Sequence, residues 1–191
     1  QSYLLPHLVP ENKTSVFIAQ RDLKFSVLML LLAYCVAGGK RLDPFGTVAG
    51  VPTLLCMASG PTQDMSMLGM ISERDPHPTS IARAKANLSV FHRGFSQHER
   101  VNIDSTEGQR TIVDLLPTDC KLVVFDNLSE WITGGKLDES IKENVVGFLT
   151  QLHDRGISVV FFDQSTGKGD NASALLPRTS HPIRLTVDPA A

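Results

Sequence analysis

The stretch Ser15-Val16-Phe17-Ile18-Ala19-Gln20-Arg21-Asp22-Leu23-Lys24-Phe25-Ser26 decides how this chain is read. Its first part is an apolar, strand-like run. It leads into a second apolar run, 27–36, that reads as helix. At such a junction a loop of the pattern G-x-x-x-x-G-K-[ST] cradles phosphate. Its glycines let backbone N–H groups curl around the oxygens, its lysine neutralises their charge, and its hydroxyl holds Mg²⁺. With Ser26 at the last position of that pattern, Phe25 stands in the lysine's place, and Ala19 and Lys24 replace the two glycines. Leu23 and Phe25 bring bulk without side-chain donors, so one or both are expected to pack inward over the space a phosphate would fill. Two readings follow. One is a plain strand–turn–helix without ligand. The other is a residual nucleotide contact, with Arg21 or Lys24 supplying the charge and Ser26 the hydroxyl.

Composition bounds the alternatives. A chain of 191 residues, 42% hydrophobic and 20% charged, is long enough for one domain with a sizeable core, here taken as 1–191. A net charge of −2 gives no global attraction to nucleic acid or membrane, although a local basic patch is compatible with it. Cys35, Cys56 and Cys120 each lie in or beside an apolar run without metal-binding spacing, and read as small buried hydrophobes. So sparse and odd a count fits a reducing, cytoplasmic setting. The run 27–37 is too short to span a membrane, which takes about 20 apolar residues. Gly38-Gly39-Lys40 ends it as a helix ends, so it reads as a helix buried in a core. The first residues lack the basic start and continuous apolar stretch of a signal peptide.

Strand-like runs at 16–19, 53–57, 88–91, 122–126, 159–162 and 183–187 alternate with helical stretches at 25–37, 64–70, 107–116 and 138–154. This alternation predicts an α/β fold with a mostly parallel central sheet and helices on both faces. Leu122-Val123-Val124-Phe125 and Val159-Val160-Phe161-Phe162 show no polar alternation, as expected of central strands covered on both sides. Ile141, Val145, Val146, Phe148, Leu149 and Leu152 form an apolar stripe at helical spacing, and Gly156 follows as a stop. Loops are expected at 40–51, 73–79, 131–136 and 165–180.

The order of these segments resembles a family. The opening Leu4-Leu5-Pro6-His7-Leu8-Val9-Pro10 comes first, then the 19–26 loop and the helix end Ala33-Tyr34-Cys35-Val36-Ala37-Gly38-Gly39. The tail Lys40-Arg41-Leu42-Asp43-Pro44-Phe45, the strand at 52–57, Leu122-Val123-Val124-Phe125-Asp126-Asn127-Leu128-Ser129 and Arg155-Gly156-Ile157-Ser158-Val159-Val160-Phe161-Phe162 complete it. Together they are similar to RecA-like ATPases of the RepA type, the hexameric helicase-like proteins of plasmids and phages, over nearly the whole chain. The resemblance implies a RecA-like P-loop NTPase core, and ATP with Mg²⁺ as the ligand where a ligand binds at all.

The resemblance also says where function would sit. It places a metal-supporting aspartate at the end of a central strand, and Asp126 matches; read from its neighbours alone, Asp126-Asn127 caps the following turn. It places a water-orienting acid just past the second strand, where this chain has Met57-Ala58-Ser59-Gly60-Pro61 and no carboxylate before Asp64. It places a phosphate-sensing polar residue after the 159–162 strand, where Asp163 and Gln164 stand; Gln164 has the chemistry to bond a phosphate and Asp163 would repel one. Its nucleic-acid loop falls at Ser165-Thr166-Gly167-Lys168-Gly169-Asp170-Asn171, with Lys168 and later Arg178 as the bases. The nucleotide-facing set is therefore Arg21, Lys24, Ser26, Asp126 and Gln164, with no catalytic residue and no metal site assigned.

Other groupings are weaker. His92, His98 and Glu99, with Arg93 and Arg100, read as a solvated polar stretch after a strand. Ser59, His153 and Asp126 have the residue types of a triad without any spacing that supports one. Tyr3, Leu4, Leu5 and Leu8, with Trp131-Ile132, are apolar residues outside the expected core. Such a patch would mark an interface, so a homo-oligomer or a complex with an intact ATPase homologue is expected. Read from sequence, the protein is a degenerate RecA-like module for assembly or single-stranded nucleic-acid association. The alternatives are an active ATPase or helicase with an atypical phosphate loop, and a scaffold that binds only proteins.

Overall fold

The computed structural model describes residues 2–19, 25–42, 46–48, 50–58, 61–93, 101–164 and 180–185. A small antiparallel hairpin, β1 (Tyr3–Leu5) and β2 (Val9–Pro10), precedes β3 (Thr14–Ala19). The chain continues through α1 (Phe25–Gly38), a second hairpin of β4 (Arg41–Leu42) and β5 (Gly46–Thr47), and β6 (Thr53–Met57). Next come α2 (Pro61–Glu73), α3 (Pro78–Asn87), β7 (Leu88–His92), α4 (Thr106–Asp114) and β8 (Leu122–Phe125). Two short 3-10 turns, Leu128–Trp131 and Thr133–Gly135, lead to α5 (Glu139–Asp154), β9 (Ser158–Gln164) and β10 (Ser180–Leu185).

The six long strands form one sheet in the order β10-β3-β9-β8-β6-β7, and every pairing in it is parallel. Parallel strands leave both faces to be covered, and the side chains divide accordingly. Val16 and Ile18 of β3, Leu54 and Cys56 of β6, Val123 and Phe125 of β8 and Val159 and Phe161 of β9 share one core with α5 and Ile112 of α4. The alternate residues Phe17, Leu55, Val124 and Phe162 share the other with Met29, Leu30, Leu32 and Ala33 of α1. The α/β, mostly parallel arrangement expected from the alternation is therefore present.

Local signals explain the individual elements. Helix α1 is buried nearly all round, as its unbroken apolar run requires. Helix α5 begins where Asp138 accepts from the Ile141 N–H (2.8 Å). It ends in a Schellman motif, with Gly156 N–H on His153 O (2.8 Å), Ile157 N–H on Leu152 O (3.0 Å), and Gly156 at φ 76°. The buried stripe Val145, Phe148, Leu149 and Leu152 is the one the spacing predicts, flanked by half-buried Ile141 and Val146.

Several elements differ from expectation. The 64–70 helix extends to Pro61–Glu73, and a further helix, α3, fills 78–87, where no helix is expected. Pro78 stands in its first turn, where a missing N–H costs nothing. The 40–51 loop contains the β4–β5 hairpin. Strand β9 runs two residues past the expected 159–162, with Asp163 and Gln164 as its polar end. His92 is the buried last residue of β7, not part of a solvated stretch; 94–100 lie outside the described residues.

Most of the expected apolar patch is also absent from the surface, although Tyr3 and Leu4 are only half-buried. Leu5, Leu8, Trp131 and Ile132 are buried, the first two under α1 and the others in the core beneath α5. Hydrophobic burial has claimed them internally, so they support no interface.

Two predictions follow from this packing. A Cβ at Gly108, in the first turn of α4, would run into the Asn102 carbonyl, the acceptor for Ser105 Oγ (2.9 Å). Gly108→Ala should therefore lower stability by about 1–3 kcal/mol despite alanine's better helix propensity, read as a lower urea midpoint at unchanged slope. His153 Nε2 lies 3.1 Å from Thr14 Oγ1, and burial, with Lys13 nearby, holds its pKa below 6.5. The unfolded chain takes up that proton near 6.5 and the folded chain only at lower pH. Stability contributed by neutral His153 is thus fully present above that value and is lost as pH falls toward the folded pKa. The wild type should lose stability between pH 7 and pH 5 more steeply than His153→Gln, as read by denaturation at each pH.

Candidate functional site

The chain leaves β3 over one face of the sheet through α1 and leaves β8 over the other through α5. In open α/β sheets ligands bind outside the carboxyl ends of strands where such connections diverge. The ends of β3, β9, β8 and β6 border that edge, and the sequence-derived site residues among the described ones gather there. Ala19, the last residue of β3, is in register with Gln164, the last of β9. Ser26 is half-buried in the first turn of α1. Asp126 directly follows β8. Arg21, Lys24, Lys168 and Arg178 lie outside the described residues, as do Leu23 and the packing expected of it and of the Phe25 side chain.

Asp126 is the best-defined of these. Its Oδ1 accepts from the indole N–H of Trp131 at 2.6 Å, and its Oδ2 accepts from the backbone N–H of Ala58 at 2.7 Å. Its own N–H donates to Cys56 O at 3.2 Å. The carboxylate thereby joins the end of β8 to the end of β6 and anchors the turn behind it. The expectation that an aspartate closes β8 holds. Asn127 precedes the 3-10 turn without a side-chain cap: its Oδ1 accepts from Ser129 Oγ at 2.7 Å, and its backbone oxygen accepts from Glu130 N–H at 2.9 Å.

Trp131 is the member that sequence reasoning misplaced. It is fully buried, set edge-on to Phe125 (ring centroids 5.3 Å apart) and tilted against Phe91 (6.2 Å). The Arg93 guanidinium lies 5.6 Å over the ring and is held to Glu130, side chain and backbone oxygen alike. The Trp131 carbonyl accepts from Ile103 N–H (2.8 Å), which ties this turn to the segment before α4. One signal was available: a buried indole N–H needs an acceptor, and Asp126 stands five residues upstream.

Beside Asp126, Ala58 is the first residue past β6, and its amide is already a donor. Asp64 belongs to the first turn of α2. The Ser59–His153–Asp126 grouping is not assembled, because His153 bonds to Thr14 at the opposite, amino edge of the sheet. Among the described residues no three histidine, cysteine or acidic side chains gather as a metal site. The cysteines are all buried and unpaired with one another; burial raises each thiol's pKa, that of Cys120 to about 11. No helix among the described residues is long and apolar enough to cross a membrane.

No protein-family model and no curated protein matches the chain in sequence. Solved structures do match in shape. A KaiC-like protein from Pyrococcus horikoshii superposes with a TM-score of 0.64 at 16% identity, over 98% of this chain and 81% of that one. The flagellar accessory protein FlaH from Methanocaldococcus jannaschii superposes with a TM-score of 0.58 at 9% identity, over 92% of this chain and 72% of that one. At such identities the likeness is one of fold, the mostly parallel RecA-like α/β core.

The Trp131–Asp126 bond has a measurable consequence. Trp131→Phe keeps the buried ring and loses the N–H, so it should cost about 1.5–3 kcal/mol, the range for hydrogen bonds to charged groups. In a double-mutant cycle with Asp126→Asn, measured by urea denaturation, the two changes should be clearly non-additive.

Proposed function

We propose that this chain is a non-hydrolysing relative of RecA-like ATPases of the RepA type, acting in the cytoplasm as an assembly or nucleic-acid-associated module. The observation that carries this reading is the commitment of Asp126. Both of its oxygens are engaged by protein N–H groups at 2.6 and 2.7 Å, in the place where the fold's working members need a carboxylate free to support Mg²⁺. The surrounding chemistry agrees. Phe25 stands in the lysine position, Ala19 and Lys24 stand in the glycine positions, and no carboxylate stands at 58–61, where the resemblance places the water-orienting acid. These residues do not fit Mg²⁺-ATP, and no catalytic step is derived through it. Lys168 and Arg178 are the bases we assign to nucleic-acid contact. A homo-oligomer or a pairing with an intact ATPase homologue is the assembly in view.

Phosphate release with ATP and Mg²⁺ should stay at background, and Asp126→Asn should lower stability by about 1–3 kcal/mol without altering that background. Steady Mg²⁺-dependent release that disappears in Asp126→Asn would refute the reading. Titration with a fluorescent single-stranded oligonucleotide then separates nucleic-acid association from a purely protein-binding role. Lys168→Glu should weaken binding and flatten its salt dependence.

A further inference from the structure

Away from the carboxyl edge, α2, α3 and the edge strand β7 enclose a groove of about 400 Å³. Met65, Leu68, Gly69 and Ser72 of α2, Lys85 of α3 and Val90 of β7 are among its walls. Three features of it have no explanation inside the chain. First, α2 carries no charge from Met65 to Ser72, and Met65 in the groove wall is 42% exposed. An exposed methionine on an uncharged stretch of helix offers an adaptable apolar contact. Second, Gly69 sits mid-helix, where glycine costs about 1 kcal/mol against alanine. Its φ is not positive, and a Cβ there would meet nothing within 4 Å. Neither backbone conformation nor internal packing calls for a glycine, whereas close approach of a helix from outside does. Gly147 of α5 is equally open, but its exposed neighbours one turn away are Glu143, Asn144, Thr150 and Gln151, a solvated face. Third, α3 exposes Lys85 at the groove and contains no acidic residue, while its other base, Arg83, leans on Gly39 and Gly50. Lys85 is the charged side chain in the groove wall, and among the described residues no carboxylate pairs with it.

The groove floor is held in shape by a buried network. Asp75, between α2 and α3, accepts from Lys40 Nζ (2.7 Å), Tyr34 Oη (3.0 Å) and His77 N–H (3.0 Å). Burial alone would raise the Asp75 pKa; these three donors outweigh it and hold the carboxyl below its usual value. Lys40 thus already neutralises Asp75 beneath the groove, and Lys85 is left as the charged side chain in the wall of an apolar trough.

We propose that this groove docks an amphipathic helix of a protein partner, with apolar anchors seated between α2 and β7 against Gly69 and with acidic residues flanking them toward Lys85 of the basic helix α3. The match is one of shape and charge: a preformed apolar trough takes anchors at i, i+3, i+4 and i+7, and the basic helix α3 selects an acidic flank. A second copy of this chain fits less well, because it would bring the same base to the groove.

The probes are two synthetic helical peptides with leucines at i, i+3, i+4 and i+7, flanked by glutamates in one and by lysines in the other. Isotope-labelled full chain is titrated with each and followed by amide chemical shifts. The acidic peptide should bind saturably, shift resonances of α2, α3 and β7, and bind at least ten-fold tighter than its basic twin. Gly69→Gln should weaken it at least ten-fold while leaving the chain as stable as the wild type or more so. Lys85→Glu should reverse the preference between the twins. Equal affinity for both peptides, shifts elsewhere, binding that survives Gly69→Gln, or no binding of either peptide would each overturn the proposal. So would a dimer, seen by light scattering, that Gly69→Gln dissolves, since the occupant would then be a second copy.

Discussion

One carboxylate holds the carboxyl edge of the sheet together. Asp126 joins two strand ends and one aromatic side chain, with the Ala58 amide on one oxygen and the Trp131 indole on the other. Charge-assisted hydrogen bonds of this length are about twice as strong as neutral ones, and each satisfies a donor that would otherwise be costly to bury. Trp131 is then fixed as a lid over Phe125 and Phe91, and its carbonyl fixes the approach to α4 through Ile103. The loop after β8, which in a parallel sheet faces the ligand-binding side, is thereby turned into core.

That arrangement rests on the two-sided burial of the sheet. Phe125 stacks on Phe161 with ring centroids 5.2 Å apart on one face, and Phe17 stacks on Phe162 at 4.7 Å on the other. These pairs lie on β8, β9 and β3, so the register that fixes the strand ends is set by large apolar rings and not by a bound ligand. A sheet with this core does not need a phosphate at its edge to define where β3 stops and α1 begins.

Much of this was legible in the sequence because the signals were local and periodic. The unbroken runs at Leu122–Phe125 and 159–162, the stripe of α5 with Asp138 and Gly156 at its ends, and the all-apolar α1 each specify one element by themselves. Helix α3 was hidden because Pro78-Thr79-Ser80 opens on turn-forming residues, and Ala84 alone of its residues is buried. The hairpins β1–β2 and β4–β5 are too short for alternation to show. At the site, the position of Asp126 was readable from the strand that precedes it. Its engagement was not, since that depends on Trp131 turning inward, a tertiary event that leaves only an apolar residue in a loop for a reader of the sequence. Burial of His92 was missed for the same reason: its polar neighbours in sequence are not its neighbours in space.

The same physics explains why the fold can outlast a phosphate grip. In a working phosphate loop, glycines accept strained backbone and a lysine is held among anions, features that add little to folding in the absence of ligand. Helix α1 here takes its stability from elsewhere. Leu30, Leu32, Ala33 and Val36 are almost wholly buried, and each large apolar side chain is worth about 1.5–3 kcal/mol on burial. Phenylalanine at position 25, the first residue of this helix, therefore leaves in place what holds the helix to the sheet. Fold and phosphate chemistry are separable in this architecture, because the first is written in the two faces of the sheet and the second in a handful of residues at its edge.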